Sequence, residues 1–146
     1  LLAAINTFGM THTVPGDSDP TFTTTSAGDY QILLRNLVTA GPLDATSRAL
    51  ALRLMTNVNT SQRWGVGAVA DVGTHFANKN GWLAVDNSNG PGEDDNGRWI
   101  VSSVGIVTVH GQQVLLSVFT QHQRSFDDGV AFVESLSKAA APAVAR

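Results

Sequence analysis

The sequence predicts an α+β fold: an antiparallel sheet, with three strands in this chain, packed with helices. Three observations predict it. Residues 26–57 carry apolar side chains at helical spacing, residues 68–120 change to a period of two, and a helical pattern returns after Ser125. The strand-rich stretch is continuous rather than interleaved with helices, which points to antiparallel pairing instead of a parallel βαβ sheet.

Taken in order, Leu1-Leu2-Ala3-Ala4-Ile5 has no initiating Met, basic region or cleavage pattern. It reads as the tail of an apolar helix entered midway, with an expected segment upstream. Residues 6–25 form a Thr-, Gly-, Pro- and Asp-rich loop, long enough to suggest a functional role. Ser26, with Asp29 three residues on, resembles a capping box opening a helix whose stripe is Leu33, Leu34, Leu37 and Val38. Gly41-Pro42 stops it, and Asp44 starts a second helix with Ala49, Leu50, Arg53 and Leu54 at helical spacing.

Ala68–Val72 is a candidate short strand and Phe76–Val85 a second. Trp99–Val109 and Gln113–Thr120 are β-rich runs joined at His110-Gly111, a hairpin signal. Asp86–Gly97 is an acidic, glycine-rich loop without the alternating register of a calcium site. Ser125 and Asp128 cap a last helix with Val130, Val133, Leu136 and Ala140 on one face, ending before Pro142. The run Val114–Phe119 is too apolar for a sheet edge and reads as an interior strand whose other neighbour lies outside this chain.

Composition bounds the function. A chain of 146 residues that is 42% hydrophobic supports one domain, residues 1–146, with a real core. A net charge of −3 without basic clusters argues against nucleic acid as a partner. No apolar run approaches the roughly 18 residues of a membrane span. There is no cysteine, hence no disulfide framework, and the four histidines lack zinc-site spacing. No metal and no cofactor are expected.

The informative stretch is Phe76–Val85, which contains Lys79-Asn80-Gly81-Trp82. Only two of the nine basic residues are lysines, and one sits in the middle of a strand beside a glycine. Glycine inside a strand marks the close approach of a ligand or another backbone. The stretch therefore reads as a wall of an active site, against the plainer alternative of a lysine that discourages edge pairing.

Lys79-Asn80-Gly81, after two helices and before two strands and a C-terminal helix, resembles the third motif of the class A β-lactamase and penicillin-binding-protein family, closest to its actinobacterial β-lactamase-related type. Thr23-Thr24-Thr25-Ser26 is similar to the segment that closes the family's omega loop. The resemblance covers the C-terminal half of such a domain. It implies a serine hydrolase performing acyl transfer on an amide or β-lactam, with a peptide-like or β-lactam substrate. Lys79 would supply positive charge, Gly81 a low cleft wall, and Trp82 a backbone oxyanion donor. Asn80 stands where the family has Thr or Ser and, with Arg98, would contact substrate.

The family's Ser-Asp-Asn is missing, and residues 6–20 contain no Glu for deacylation. Ser135-Leu136-Ser137-Lys138 matches Ser-x-x-Lys but falls on the last helix, and reads as a solvated face. The nucleophile is expected from a preceding N-terminal segment or a second chain, so this chain alone is expected to be inactive. The resemblance also implies a secreted or cell-envelope location. The competing expectation is a non-catalytic binding or scaffolding domain that keeps the fold.

Overall fold

A computed structural model describes residues 1–17, 19–39, 41–86 and 97–145. Its elements are α1 (Leu2–Phe8), α2 (Ala27–Val38), α3 (Ala45–Thr56), β1 (Ala77–Ala84), β2 (Trp99–Val109), β3 (Gln112–Gln123) and α4 (Phe126–Val144). Short 3₁₀ turns lie at Pro20–Phe22, Thr60–Gln62 and Gly65–Val69. The three strands form one antiparallel sheet in the order β1-β2-β3, as the sequence predicts. Most of the acidic loop after Asp86, including the rejected calcium reading, lies outside the described residues.

The sheet separates two cores. On one face, α4 and the Gly65–Val69 turn cover Val101, Val107, Leu116 and Val118, with Val66 and Val133 wholly buried between the layers. On the other, Leu34 and Leu37 of α2 pack with Ala77, Val104 and Ile106, flanked by Leu52 and Met55 of α3. Fully burying one such side chain is worth about 1.5–3 kcal/mol relative to leaving it exposed. These two clusters therefore hold the layers on the sheet.

The β2–β3 hairpin turns through two residues, His110 at φ 50° and Gly111 at φ 75°. Two successive left-handed residues give a turn whose twist matches the strands. The Asp71 carboxylate accepts the backbone N–H of His110 (3.0 Å) and Gly111 (2.8 Å), clamping the turn from outside the hairpin. The Gly111 N–H outweighs burial and, aided by His110, holds the Asp71 carboxyl below its ordinary range.

Caps at Ser26, Asp44 and Ser125 start α2, α3 and α4 as expected. Several expectations need correction. The capping box at Ser26 is one-sided: Ser26 Oγ accepts the Asp29 N–H, but the Asp29 carboxylate turns to the preceding loop. There it accepts from Thr13 Oγ1 (2.6 Å) and the His12 N–H (2.9 Å), while Thr13 also meets Thr25. The 6–25 segment is thus tied down, with a bridge between Val14 and Thr24.

In α3, Leu50 and Leu54 face outward, and Ala51, Leu52 and Met55 make the core contact. Ala68–Val72 is not a strand. Gly65–Val69 is a 3₁₀ turn entered at Gly65, which has φ 80° and packs close against Ser103, and Val72 is fully exposed. Finally, α4 runs through Pro142, and its buried face is Gly129, Val133, Ser137 and Ala141 rather than the Leu136 and Ala140 side.

Candidate active site

The geometry of β1 follows from the hairpin beside it. Across the two-residue turn, Val109 and Gln112 are the first hydrogen-bonded pair. Alternation then directs the backbone groups of Ser102, Val104 and Ile106 toward β1. Their partners are Gly81, Lys79 and Ala77. Asn78, Asn80 and Trp82 consequently turn their N–H and C=O groups to the other side, along the open edge of the sheet.

Side chains alternate independently of this. Lys79 and Gly81 share the face covered farther along by α2 and α3; Asn78, Asn80 and Trp82 share the α4 face. Lys79 is exposed, and its Nζ donates to the Asn80 carbonyl, which places the ammonium at the open edge. A β-carbon at Gly81 would meet only Ser102 Oγ, at 3.1 Å, within 4 Å. The space over the strand beside Lys79 is low. Ser102 Oγ donates to the Gly81 carbonyl at 3.3 Å.

The Trp82 side chain lies on the α4 face in an aromatic cluster. Its ring centroid is 6.1 Å from Trp64 and 5.6 Å from Phe126, and Trp99 also packs at a tilt against Phe126 at 5.8 Å. Trp82 keeps 46% of its surface exposed. Its backbone N–H, in the plane of the sheet, and the Lys79 ammonium, from the α2 and α3 face, thus reach the same edge.

The two residues expected to contact substrate have other partners in this structure. The Asn80 side chain is buried: Nδ2 donates to the carbonyls of Gln62 (2.9 Å) and Trp64 (3.4 Å), and Oδ1 accepts from Ser103 Oγ (2.7 Å). A strand's two-residue period puts position 80 on the opposite face from Lys79, so the amide turns inward. Arg98 lies just before β2, six positions from Val104, the partner of Lys79. At about 3.3 Å per residue this is roughly 20 Å along the strand. The Arg98 carbonyl pairs instead with the Val85 N–H at 2.8 Å.

Ser135 and Lys138 are exposed on α4, across the sheet from Lys79, with Lys138 Nζ 3.9 Å from Glu134. Sequence reasoning missed Asn78, Ser103, Gln62 and Trp64. Asn78 donates to Gln62 and to Asn80 Oδ1, and Ser103 accepts the Val66 N–H at 3.0 Å. The available signal was two asparagines at period-two spacing, a polar pair on one face of a strand. Among the described residues no three His, Asp or Glu side chains converge as metal ligands.

A three-stranded antiparallel sheet between two helical layers, with a lysine and a glycine on its open edge, has the architecture of a partial β-lactamase-like hydrolase domain. The β-lactamase enzyme family model matches residues 3–144, and the chain belongs to that family. PBP-A aligns with a TM-score of 0.72 at 18% identity, covering 97% of this chain and 49% of its own. A β-lactamase from Sphaerobacter thermophilus aligns at 0.76 and 16% identity, covering 97% and 51%. A class A β-lactamase representative from Bacteroides cellulosilyticus aligns at 0.76 and 13%, covering 98% and 52%. The chain therefore spans about half the length of these structures. No curated protein matches it.

Proposed function

We propose that this chain forms one wall of an acyl-transfer site of the β-lactamase or DD-peptidase type. The observation that carries the reading is the edge of β1, where the Lys79 ammonium and the outward-facing Trp82 N–H flank the low strand surface at Gly81. A substrate amide lying along that edge would be held by backbone hydrogen bonds, as an added strand is. A serine oxygen would attack its carbonyl carbon and the Trp82 N–H would receive the oxyanion. The serine proton would pass, by way of that serine's own lysine, to the leaving nitrogen as the C–N bond breaks, and the Lys79 charge would favour the negative charge developing on oxygen. Water would then release the acyl group.

The nucleophilic serine and its lysine would come from a preceding segment or a second polypeptide. The half-length match supports that, as does the open edge of β3. A cleft of about 420 Å³ runs along it, lined by Gln31, residues 113–118, Ala140 and Val144. Peptide-like or β-lactam compounds are the proposed substrates, and an exported, cell-envelope location goes with them. Among the described residues no helix is long and apolar enough to cross a membrane.

The test compares residues 1–146 alone with a protein carrying the whole family domain, each treated with a labelled penicillin and a fluorophosphonate. Residues 1–146 alone should stay unlabelled, and the whole domain should be acylated on a serine outside them. Lys79→Ala should slow that acylation about 10²–10³-fold, the scale of losing one preorganised electrostatic contact. Labelling of a serine within residues 1–146 overturns the proposal. No labelling of the whole domain would favour a non-catalytic binding domain.

A further inference from the structure

Among the described residues β1 pairs with another strand on one side only, so the position of its outer edge depends on what its side chains grip. Three consecutive residues of the α4 face grip the same short segment. Asn78 and Asn80 each donate from Nδ2 to the Gln62 carbonyl at 2.9 Å, with longer contacts to Trp64 O at 3.5 and 3.4 Å. The Trp82 ring packs at a tilt against the Trp64 ring. These three residues are also the ones whose backbone groups make the open edge.

The segment is locked in turn to the next strand. Ser103 Oγ donates to Asn80 Oδ1 and accepts the Val66 N–H, and a β-carbon at Gly65 would come within 2.3 Å of that oxygen. Asn78, Ser103 and Val66 are completely buried, and Asn80 is nearly so at 4% exposure. A buried network of this kind is rigid when its members are paired and costly when one is lost. Asn80 is its hub: its amide nitrogen binds the 62–64 segment while its oxygen takes Ser103 and Asn78. A Ser or Thr hydroxyl has one proton and a shorter reach, and cannot replace all of these contacts.

We infer that Asn80 is a positioning residue of the β1 wall. Through Gln62, Trp64 and Ser103 it holds the Trp82 N–H and the base of Lys79 in place at the open edge. This inference rests on the acyl-transfer reading of that edge. It assigns Asn80 no contact with substrate.

The experiment uses the whole-domain protein and the variants Asn80→Ala, Asn80→Thr and Ser103→Ala, with thermal melts to establish that each is folded at assay temperature. Hydrogen exchange reads the peptide spanning residues 60–70, and acylation by the labelled penicillin gives a saturating rate and a half-saturating concentration. Asn80→Ala should speed exchange of that peptide at least tenfold. It should also lower the saturating rate about 10–100-fold, the scale of an ångström-size misplacement, with the half-saturating concentration changed less than threefold. Ser103→Ala should act in the same direction and combine less than additively with Asn80→Ala.

If Asn80→Ala loosens the peptide and leaves the saturating rate within twofold, the network is structural only and the inference fails. If exchange is unchanged, the grip on residues 62–66 is wrong. If the wild type is never acylated, the parent reading fails and the positioning role with it, and the exchange result shows whether the network itself stands. Should Asn80→Ala not fold, Asn80→Thr and Ser103→Ala decide by the same criteria.

Discussion

Gly129 of α4 lies directly against Val101 of β2. A β-carbon placed on Gly129 would sit 2.4 Å from Val101 Cγ2 and 2.8 Å from Val101 Cβ, closer than such atoms approach. The helix can therefore lie on the sheet only where both partners keep their size. The same close approach seats Phe126, the first residue of α4, against the Trp64 and Trp82 rings.

Gly129→Ala tests this contact. Overpacking costs about 1–3 kcal/mol, while alanine gains about 1 kcal/mol over glycine in helix propensity. The expected net loss is about 0–2 kcal/mol by urea denaturation. Val101→Ala removes Cγ2, the nearer of the two atoms, and should relieve part of the clash, so the double variant should be more stable than the two single effects add up to. A stabilised Gly129→Ala protein would show that the helix shifts freely and that the contact does not set its position.

Asp29 predicts an acid-sensitive loop. Burial raises its carboxyl, but hydrogen bonds from the Thr13 hydroxyl and the His12 N–H, with the His12 ring 3.6 Å away, together outweigh burial and hold it below the ordinary value. A carboxyl lowered in the folded state contributes stability that is complete above the unfolded value of about 3.9. That contribution is lost as pH falls through the folded value. Asp29→Asn should lower Tm at pH 7, because a neutral amide replaces the acceptor oxygen of one partner with a donor. The gap from wild type should narrow below about pH 4. A gap independent of pH would rule out this carboxylate as the latch on residues 12–25.

The open edge of β3 predicts partner dependence. With β2 bonded to the even-numbered residues Val114, Leu116 and Val118, the N–H and C=O groups of Gln113, Leu115 and Ser117 turn outward. Gln31 Nε2 donates to the Leu115 carbonyl at 3.2 Å and to Ser117 Oγ at 3.1 Å, covering one of those acceptors. Residues 1–146 alone should associate with rising concentration, as seen by sedimentation velocity. Gln113→Pro removes an outward N–H and should weaken that association while leaving the fold intact. A monomer at all concentrations would argue that the edge is self-sufficient.

Much of this architecture was legible because local and tertiary demands agree. The β2–β3 hairpin was readable from His110-Gly111 between two β-rich runs, and three helix starts from Ser26, Asp44 and Ser125. The apolar Val114–Phe119 run was expected to have its second strand neighbour outside this chain, and among the described residues it pairs with β2 alone. The family could be recognised from Lys79-Asn80-Gly81 in its order along the chain, and the family match covers residues 3–144.

What misled was facing. Leu50 and Leu54 have helical spacing but point away from the sheet, because periodicity defines a stripe without saying which neighbour lies opposite. Arg98 is near Lys79 only if the strand is short; the register puts it beyond the strand's far end. Pro142 costs the helix one donor near its C-terminal end, where the chain still continues helical.

The residues of β1 show where the boundary lies. By itself the sequence determined that a lysine, two amides, a glycine and a tryptophan occupy one strand, and alternation determined that Lys79 and Asn80 point to opposite faces. Only the tertiary structure decided what each face meets: Lys79 reaches the open edge, and Asn80 is sealed against Gln62, Trp64 and Ser103. The physical reason is that a strand's period is local, whereas its partners are carried by segments 16 to 23 positions away in the chain.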